Sequence, residues 1–183
     1  MNKKLTQLKD RVWMTRKARI NASERLLSLE KFIQYINIYY SCFICILSVY
    51  GLVIINDKIG IISTILSIIL TISMVYLNSQ RFGDRAQQLK NNYINLQKLY
   101  LKLDNIDENT IVDLTEYNNE YIQLLSSCEN HSSYDYYKVQ LMTKQNGITS
   151  KTVLVYNASK TCMYICGLTV ILVPILLALY IFN

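Results

Sequence analysis

The sequence predicts an all-α membrane protein, and two observations carry that prediction. The stretch from residue 36 to residue 77 contains two uncharged apolar runs joined by the polar tip Asn56-Asp57-Lys58, and a third uncharged run occupies residues 162–183. Each run has about 20 residues, which at about 1.5 Å per residue of helix matches the roughly 30 Å hydrocarbon core of a bilayer. Because backbone amides inside lipid need partners within their own segment, we interpret the runs as helices rather than strands.

The three runs divide the chain into four segments. We expect a basic amphipathic helix over residues 1–35, a transmembrane hairpin over 36–77, a cytoplasmic helical region over 78–161 and a C-terminal transmembrane helix over 162–183. Residues 1–35 hold nine Lys or Arg against three acids, whereas residues 78–161 hold nine of each kind. Since cytoplasmic flanks are enriched in basic residues, the N-terminus is predicted inside and the short hairpin tip outside. A third crossing then places the C-terminus outside. We expect no cleavable signal, because the first apolar run follows a long amphipathic segment.

The opening segment has helical apolar spacing at Leu5, Leu8 and Val12, with Trp13 beside them. It predicts either one helix or two helices with a break near Asn21. The favoured interpretation is a helix that follows the inner headgroups and sets the orientation of the chain. The alternative is that some of its arginines bind an acidic signal or partner.

Small polar residues recur along one face of each of the first two spans. The stripes are Ser41, Cys45 and Ser48 in the first span and Ser63, Ser67 and Thr71 in the second. Such residues let helices approach closely, so packing is the favoured interpretation, and the alternative is a polar path formed by several hairpins. Cys42 and Cys45 spell CxxC, which we interpret as packing residues. Pro174, the chain's only proline, predicts a kink in the third span that leaves a backbone carbonyl without its helical partner.

Two apolar seams follow the second span, with nothing but Gly83 to interrupt a helix continuing from Leu77 to Leu103. The first seam is Phe82, Ala86, Leu89, Tyr93, Leu96, Tyr100 and Leu103, and the second is Leu114, Tyr117, Tyr121, Leu124 and Cys128. Their short connection predicts an antiparallel helical hairpin with coiled-coil spacing. Packing within the chain explains most of this pattern, and association between copies is a further hypothesis. Asn146-Gly147 predicts a break before the last helix.

The residues offer little chemistry. The sequence has no Gly-rich phosphate loop, no GxSxG, no metal-ligand cluster and one histidine, so we expect neither an enzyme nor a cofactor or metal site. The net charge of +6 is concentrated beside the first span and lacks a recognition motif, so direct nucleic-acid binding is not expected.

Three segments carry a resemblance to a known family. The stretches WMTRKARINASERL, RFGDRAQQLKNNYINLQKLY and CENHSSYDY, in this order around the hairpin, resemble the SLATT family of bacterial conflict-system membrane effectors. The resemblance implies two core membrane helices and a cytoplasmic helical portion. It also implies a pore-forming or membrane-disrupting effector of the bacterial inner membrane, triggered by nucleotide-signal or reverse-transcriptase modules during phage infection. The third span departs from the two-span plan.

Two functions are compatible with these features. The favoured one is an anti-phage effector whose copies oligomerise and open a lesion when a partner sensor acts on the cytoplasmic part. The candidate trigger or partner contacts are Arg16, Arg19, Arg25, Arg85 and His131. The alternative is a membrane-anchored helical scaffold that recruits a cytosolic partner without permeabilisation.

Overall fold

The structure, a computed structural model, describes residues 3–107, 113–143 and 149–182 of the chain. Throughout these ranges the regular structure is helical, without a strand, which confirms the predicted all-α class. The helices are α1 (Lys3–Val53), α2 (Asp57–Ser79), α3 (Phe82–Asp104), α4 (Thr115–Ser126), α5 (Ser133–Thr143) and α6 (Ser150–Phe182). The break predicted at Asn146-Gly147 lies outside the described residues.

The helices are distributed over two compact units. The first, here called the bundle unit, comprises Met1–Leu27 and Gly83–Lys160. The second, the membrane unit, comprises Ser28–Phe82 and Thr161–Asn183. The long helices α1 and α6 each contribute residues to both units.

The bundle unit is built on the seam of α3, which packs against the start of α1. Its core consists of Leu5, Leu8, Val12, Leu96, Leu99, Leu103 and Leu114. The half-buried Tyr117, Tyr121 and Leu124 of the second seam pack on this core. The expected packing of both seams within the chain is therefore confirmed. The apolar face of the N-terminal helix is buried by protein rather than free to enter the headgroups, and the position of its basic face at the membrane surface stays a prediction.

Helix direction in the bundle unit follows from two pairs of contacts. Near the start of α1, Lys9 pairs with Asp104 of α3 at 3.3 Å. Further along α1, the Ser23 hydroxyl donates to the Ala86 carbonyl of α3 at 2.9 Å. Residue numbers increase along α1 while those of the contacting α3 residues decrease, so these two helices are antiparallel. Lys102 binds Glu120 at 2.9 Å, and Asn92 donates to the Leu124 carbonyl at 2.7 Å, so α3 and α4 form the predicted antiparallel hairpin.

Two predicted boundaries can be compared with the described helices. α1 continues through Asn21, so the N-terminal segment is one helix rather than two. The expected continuation from the second span into α3 is wrong, because α2 ends at Ser79. There the Arg81 amide donates to the Asn78 carbonyl at 3.1 Å, and Arg81 has a left-handed φ of 49°. Residues other than glycine rarely adopt this conformation, so the arginine at position 81 gave no indication in the sequence that the helix ends here.

The membrane unit has the surface of a lipid-solvated protein. By length and composition, three helices of the described chain could cross a membrane, and their uncharged apolar stretches lie in α1, α2 and α6. Large apolar side chains are more than half exposed on each, as at Ile46 (63%), Val75 (68%) and Leu176 (62%). Water would penalise such continuous apolar surface, whereas lipid solvates it. The predicted membrane protein is confirmed.

Candidate functional site

The helices α1 and α2 approach each other closely next to the tip of the hairpin. A Cβ added to Gly51 would lie 3.0 Å from the Ile59 Cγ2 atom and 3.4 Å from the Gly60 amide nitrogen. Only a residue without a side chain allows this approach. Asn56 then begins α2 by accepting a hydrogen bond from the Lys58 amide at 3.1 Å, as expected of an N-cap residue.

The two small-residue stripes line the space between these helices. One groove is lined by Ser41 and Cys45 of α1 together with Ser67 and Thr71 of α2. A second groove, next to the tip, is lined by Ser48 and Ser63. All six stripe residues therefore line grooves along the hairpin. Ser63 is buried and Ser48 half-buried, as close packing next to the tip requires, whereas the other four are exposed in their groove. Their role in an open path stays a prediction.

Several groove hydroxyls donate to carbonyls of their own helix. The Ser63 hydroxyl donates to the Gly60 carbonyl at 2.9 Å, and the Thr71 hydroxyl donates to the Ser67 carbonyl at 2.8 Å. Each hydroxyl oxygen keeps lone pairs that can accept a further bond. The groove lined by Ser67 and Thr71 thus presents hydroxyls and includes no formally charged side chain, whereas the groove next to the tip also includes Asp57.

The third apolar helix contacts α1 within the membrane unit at its proline. Pro174 lies inside α6 and is almost completely buried. The Tyr40 hydroxyl donates to the Val170 carbonyl at 2.8 Å, and the Tyr39 hydroxyl donates to the Ile171 carbonyl at 3.2 Å. Two neighbouring carbonyls of α6 therefore bond to side chains of α1.

In the bundle unit, Arg19 is completely buried and serves as a polar hub. Its guanidinium donates to the side-chain oxygen of Asn92 and to the carbonyls of Leu124 and Leu125, the latter two at 2.8 and 3.1 Å. Those carbonyls belong to the last turn of α4, where a helix has unpaired acceptors and a negative dipole end. Asn92 also donates to the Leu124 carbonyl at 2.7 Å. Arg19 thus fixes the end of α4 to α1 and α3.

A second polar cluster joins α5 to α1. Arg25 forms a bidentate pair with Asp135, with both nitrogen–oxygen distances at 3.0 Å. The Asp135 carboxylate also accepts from the Ser132 amide at 3.0 Å and hydroxyl at 2.6 Å, which is the capping-box arrangement at the start of α5. The Asn21 side chain donates to the Asp135 carbonyl at 3.2 Å. These contacts saturate a carboxylate that is only 1% exposed.

The remaining candidate contacts are placed differently. Arg85 pairs with Glu129 at 2.8 Å, and both side chains are about one-third exposed. Arg16 lies over the Tyr100 ring, 5.7 Å from its centroid. His131 stacks on Tyr136 with the ring centroids 6.0 Å apart. All three belong to the bundle unit, and their role as trigger contacts stays a prediction.

Burial shifts the pKa values of three side chains in the bundle unit: Arg19, His131 and Cys128. Desolvation lowers the pKa of Arg19 below its ordinary value, although the nearby Cys128 and Tyr121 oppose the change. Desolvation, followed by the charge of Arg19, lowers the pKa of His131, and Asp135 partly offsets this. Burial raises the pKa of the Cys128 thiol. At neutral pH the unit therefore holds a neutral imidazole next to a charged, buried guanidinium.

Sequence reasoning missed several residues that complete these clusters. Asn92 lies outside the predicted seam, one position before Tyr93, but it shares the buried face of α3 with Leu89, Leu96 and Leu99, and a polar residue in such a series can signal a buried hydrogen bond. The spacing of Ser132 and Asp135 is a capping-box signal. Tyr40 has no comparable signal, because only the position of α6 shows what its hydroxyl meets. Within the described chain, no group of three or more His, Cys, Asp or Glu side chains is placed to hold a metal ion.

Comparison with known families agrees with this architecture. A family model described as SMODS and SLOG-associating 2TM effector domain family 5 matches residues 1–181. The match includes α6, so the third apolar helix lies within the matched family region although the description names two transmembrane segments. No curated protein and no solved structure matches the chain. The resemblance is confirmed: this chain belongs to the SMODS and SLOG-associating 2TM effector domain family 5, a family of membrane effectors associated with conflict and defence systems.

Proposed function

We propose that the protein is a membrane effector of a bacterial anti-phage system that assembles into a lesion when a partner sensor acts on it. The observation that carries the proposal is the hairpin of uncharged spans with polar stripes lining its grooves, in a chain of an effector family. Opening would need several copies to turn these stripes toward a shared lumen. The lesion would dissipate ion gradients of the bacterial inner membrane.

The composition of the stripes bears on selectivity. The hairpin spans contain no Asp, Glu, Lys or Arg between residues 36 and 55 or between 59 and 77. Charged rings normally select cations or anions in a channel. A path lined by Ser41, Ser67 and Thr71 would therefore discriminate weakly between small ions of either sign, and loss of membrane potential is the expected readout.

The trigger is expected to act on the bundle unit. A trigger shifts the population only if it binds the assembled state better than the resting state. Arg25 and Arg85 are partly exposed and paired with acids, so an anionic signal or acidic partner could compete for them. Arg16 and His131 are further candidates. The sensor we propose is an associated nucleotide-signal or reverse-transcriptase module.

The basic N-terminal segment supports an orientation of the chain, and exposed tyrosines mark the ends of the spans. We propose a cytoplasmic N-terminus and, after three crossings, a C-terminus outside. Tyr35, Tyr76 and Tyr164 lie near the predicted cytoplasmic ends of the three spans and are 70%, 65% and 69% exposed. Exposed tyrosines at such ends are typical of membrane interfaces. Reporter fusions at the two termini would test this topology, and fusions reporting both termini on one side would contradict it.

The lesion is tested with the full-length protein in two settings. Purified protein in liposomes should release a trapped small dye after assembly. Cells that express it with its genomic neighbours should lose membrane potential after phage challenge. An unchanged potential in cells that are dying or protected would reject the proposal.

Ser67→Leu tests the stripe more narrowly. We expect this variant to insert and accumulate like the wild type but to differ in toxicity, because a bulky side chain would fill the groove that Ser67 lines. Ile68→Leu is the matched control, since Ile68 is 55% exposed and the change keeps its volume. Toxicity equal to the wild type in S67L would exclude the stripe from an open path.

A second candidate function is a membrane-anchored scaffold. The favouring observation is apolar surface on the bundle unit, where Leu101 is 50% and Ile122 is 60% exposed. Such residues can dock a cytosolic partner or a second copy without any lesion. Liposome leakage separates the two functions, since a scaffold releases no dye.

A further inference from the structure

The contact between α1 and α6 coincides with a defect in the α6 backbone. Pro174 has no amide hydrogen, so the carbonyl four residues earlier loses the helical partner it would otherwise have. That carbonyl belongs to Val170, and it accepts the Tyr40 hydroxyl at 2.8 Å. The next carbonyl, of Ile171, accepts the Tyr39 hydroxyl at 3.2 Å. Tyr40 thus replaces the donor that proline removed, and Tyr39 adds a bond to the neighbouring carbonyl.

Lipid makes this replacement important. Around residue 170 the side chains of α6 are mostly Leu, Ile and Val, and the hydrocarbon core supplies no water to a free carbonyl. If α6 moved away from Tyr40, the Val170 carbonyl would be left without a hydrogen bond in an apolar medium, which is unfavourable. In a water-lined lesion the same carbonyl could bond to water instead.

We propose that Tyr40, assisted by Tyr39, is a lock that holds α6 on α1 in the resting protein, and that opening exchanges the tyrosine donor for water. The lock itself is independent of what the protein does. Its consequence for permeability rests on the proposed function. Pro174 then has a defined role, because it creates the acceptor that makes the contact reversible.

The experiment measures the α1–α6 contact directly in full-length protein reconstituted in liposomes. In a background without native cysteines, Phe32→Cys and Gly167→Cys place thiols on the two helices, since the Phe32 ring lies 3.8 Å from a Cβ built on Gly167. The rate of cross-linking by a short bifunctional thiol reagent reports how often the helices are together. Trapped-dye leakage is recorded on the same samples.

Tyr40→Phe should lower the equilibrium constant of the α1–α6 contact about threefold, the average effect of a hydrogen bond between transmembrane helices, and cross-linking should slow by up to that factor. Pro174→Ala restores the amide hydrogen, so in the P174A background Y40F should have no effect. Tyr35→Phe is the matched control, because Tyr35 is on the same helix and 70% exposed, and it should match the wild type.

Two results would overturn the lock: a wild-type cross-linking rate in Y40F, or a Y40F effect of equal size in the P174A background. Leakage distinguishes the two proposals. If Y40F loosens the contact and raises basal leakage, both are supported. A loosened contact without leakage under any condition leaves the lock in place and rejects the lesion.

Discussion

Arg25 and Asp135 form a bidentate ion pair that ties α5 to α1, with both bonds at 3.0 Å and the carboxylate 1% exposed. The two residues are 110 positions apart in sequence. A pair of this geometry holds two helices in one orientation, because the planar guanidinium matches the carboxylate plane. The bundle unit therefore owes its arrangement to polar contacts as well as to its leucine core.

Arg25→Ala should destabilise the bundle unit by about 2 to 3 kcal/mol, less than a completely buried pair would lose because Arg25 is partly exposed. The cause is the buried Asp135 carboxylate left without its cation. Unfolding by urea in detergent can be followed by the fluorescence of Trp13, the chain's only tryptophan. Arg11→Ala, at an exposed position of the same helix, should change the midpoint little. Equal midpoints for both variants would contradict this role of the pair.

Arg19→Ala should be at least as damaging, with a loss of about 3 kcal/mol, because it leaves Asn92 and the Leu124 carbonyl without a charged donor. Arg19→Lys keeps the charge but not the fork of donors, so its stability should lie between that of R19A and the wild type. The same Trp13 titration measures both variants. Wild-type stability in R19A would show that the hub is dispensable.

Acidification should weaken the bundle unit through His131. Burial and the charge of Arg19 lower the pKa of His131 from its ordinary value of 6.5, so the unfolded chain binds the proton more readily than the folded one. The stabilising contribution is complete above pH 6.5 and declines as the pH falls toward the lowered folded pKa. Urea midpoints should therefore drop between pH 7.5 and 5.5, and His131→Gln should reduce this drop. An identical pH dependence in H131Q would exclude the histidine as its source.

Ile55→Gly should stabilise the hairpin tip by about 0.5 to 1 kcal/mol. Ile55 is 87% exposed and has a left-handed φ of 48°, a conformation that favours glycine. The Asn56 amide next to it donates to the Gly51 carbonyl at 3.1 Å, closing the end of α1. Val49→Gly, at an exposed position inside the helix, should instead destabilise. Unfolding by SDS, followed by circular dichroism, compares the two, and a loss of stability in I55G would contradict the assigned strain.

Gly51→Ala should loosen the hairpin by about 1 kcal/mol, because its Cβ would lie 3.0 Å from the Ile59 side chain. Gly60→Ala is the matched control, since nothing lies within 4 Å of a Cβ built there. The control should be neutral or slightly stabilising in the same SDS titration. If both substitutions behave alike, the close approach at Gly51 does not limit the packing.

Much of the fold was predictable because it depends on local pattern. Uncharged runs of membrane length need no tertiary information to be identified as helices. The heptad spacing of Leu89, Leu96 and Leu103 likewise predicts a buried helix face, and all three side chains are buried. The partner of that face was not predictable, since an amphipathic α1 could bury Leu5 and Leu8 equally well in headgroups or against another helix.

The candidate site divides in the same way. Spacing alone indicated that Ser41, Cys45, Ser67 and Thr71 lie on helix faces, whereas their shared groove required the actual hairpin. Arg19 and Arg25 were expected at a surface, yet the structure gives them partners within the chain. A basic residue has the same side chain whether it meets a lipid, a signal or a buried carboxylate. Only its neighbours determine which.

The sequence by itself determined that this chain is helical, enters a membrane and belongs to an effector family, because length, charge and local order carry that information. The tertiary structure alone decided that Tyr40 meets the carbonyl freed by Pro174 and that Arg25 meets Asp135. The physical reason is the separation in sequence of the residues that interact. Helix formation depends on neighbours within a few residues, whereas these bonds join atoms more than a hundred residues apart, and their partners are defined only once the helices have packed.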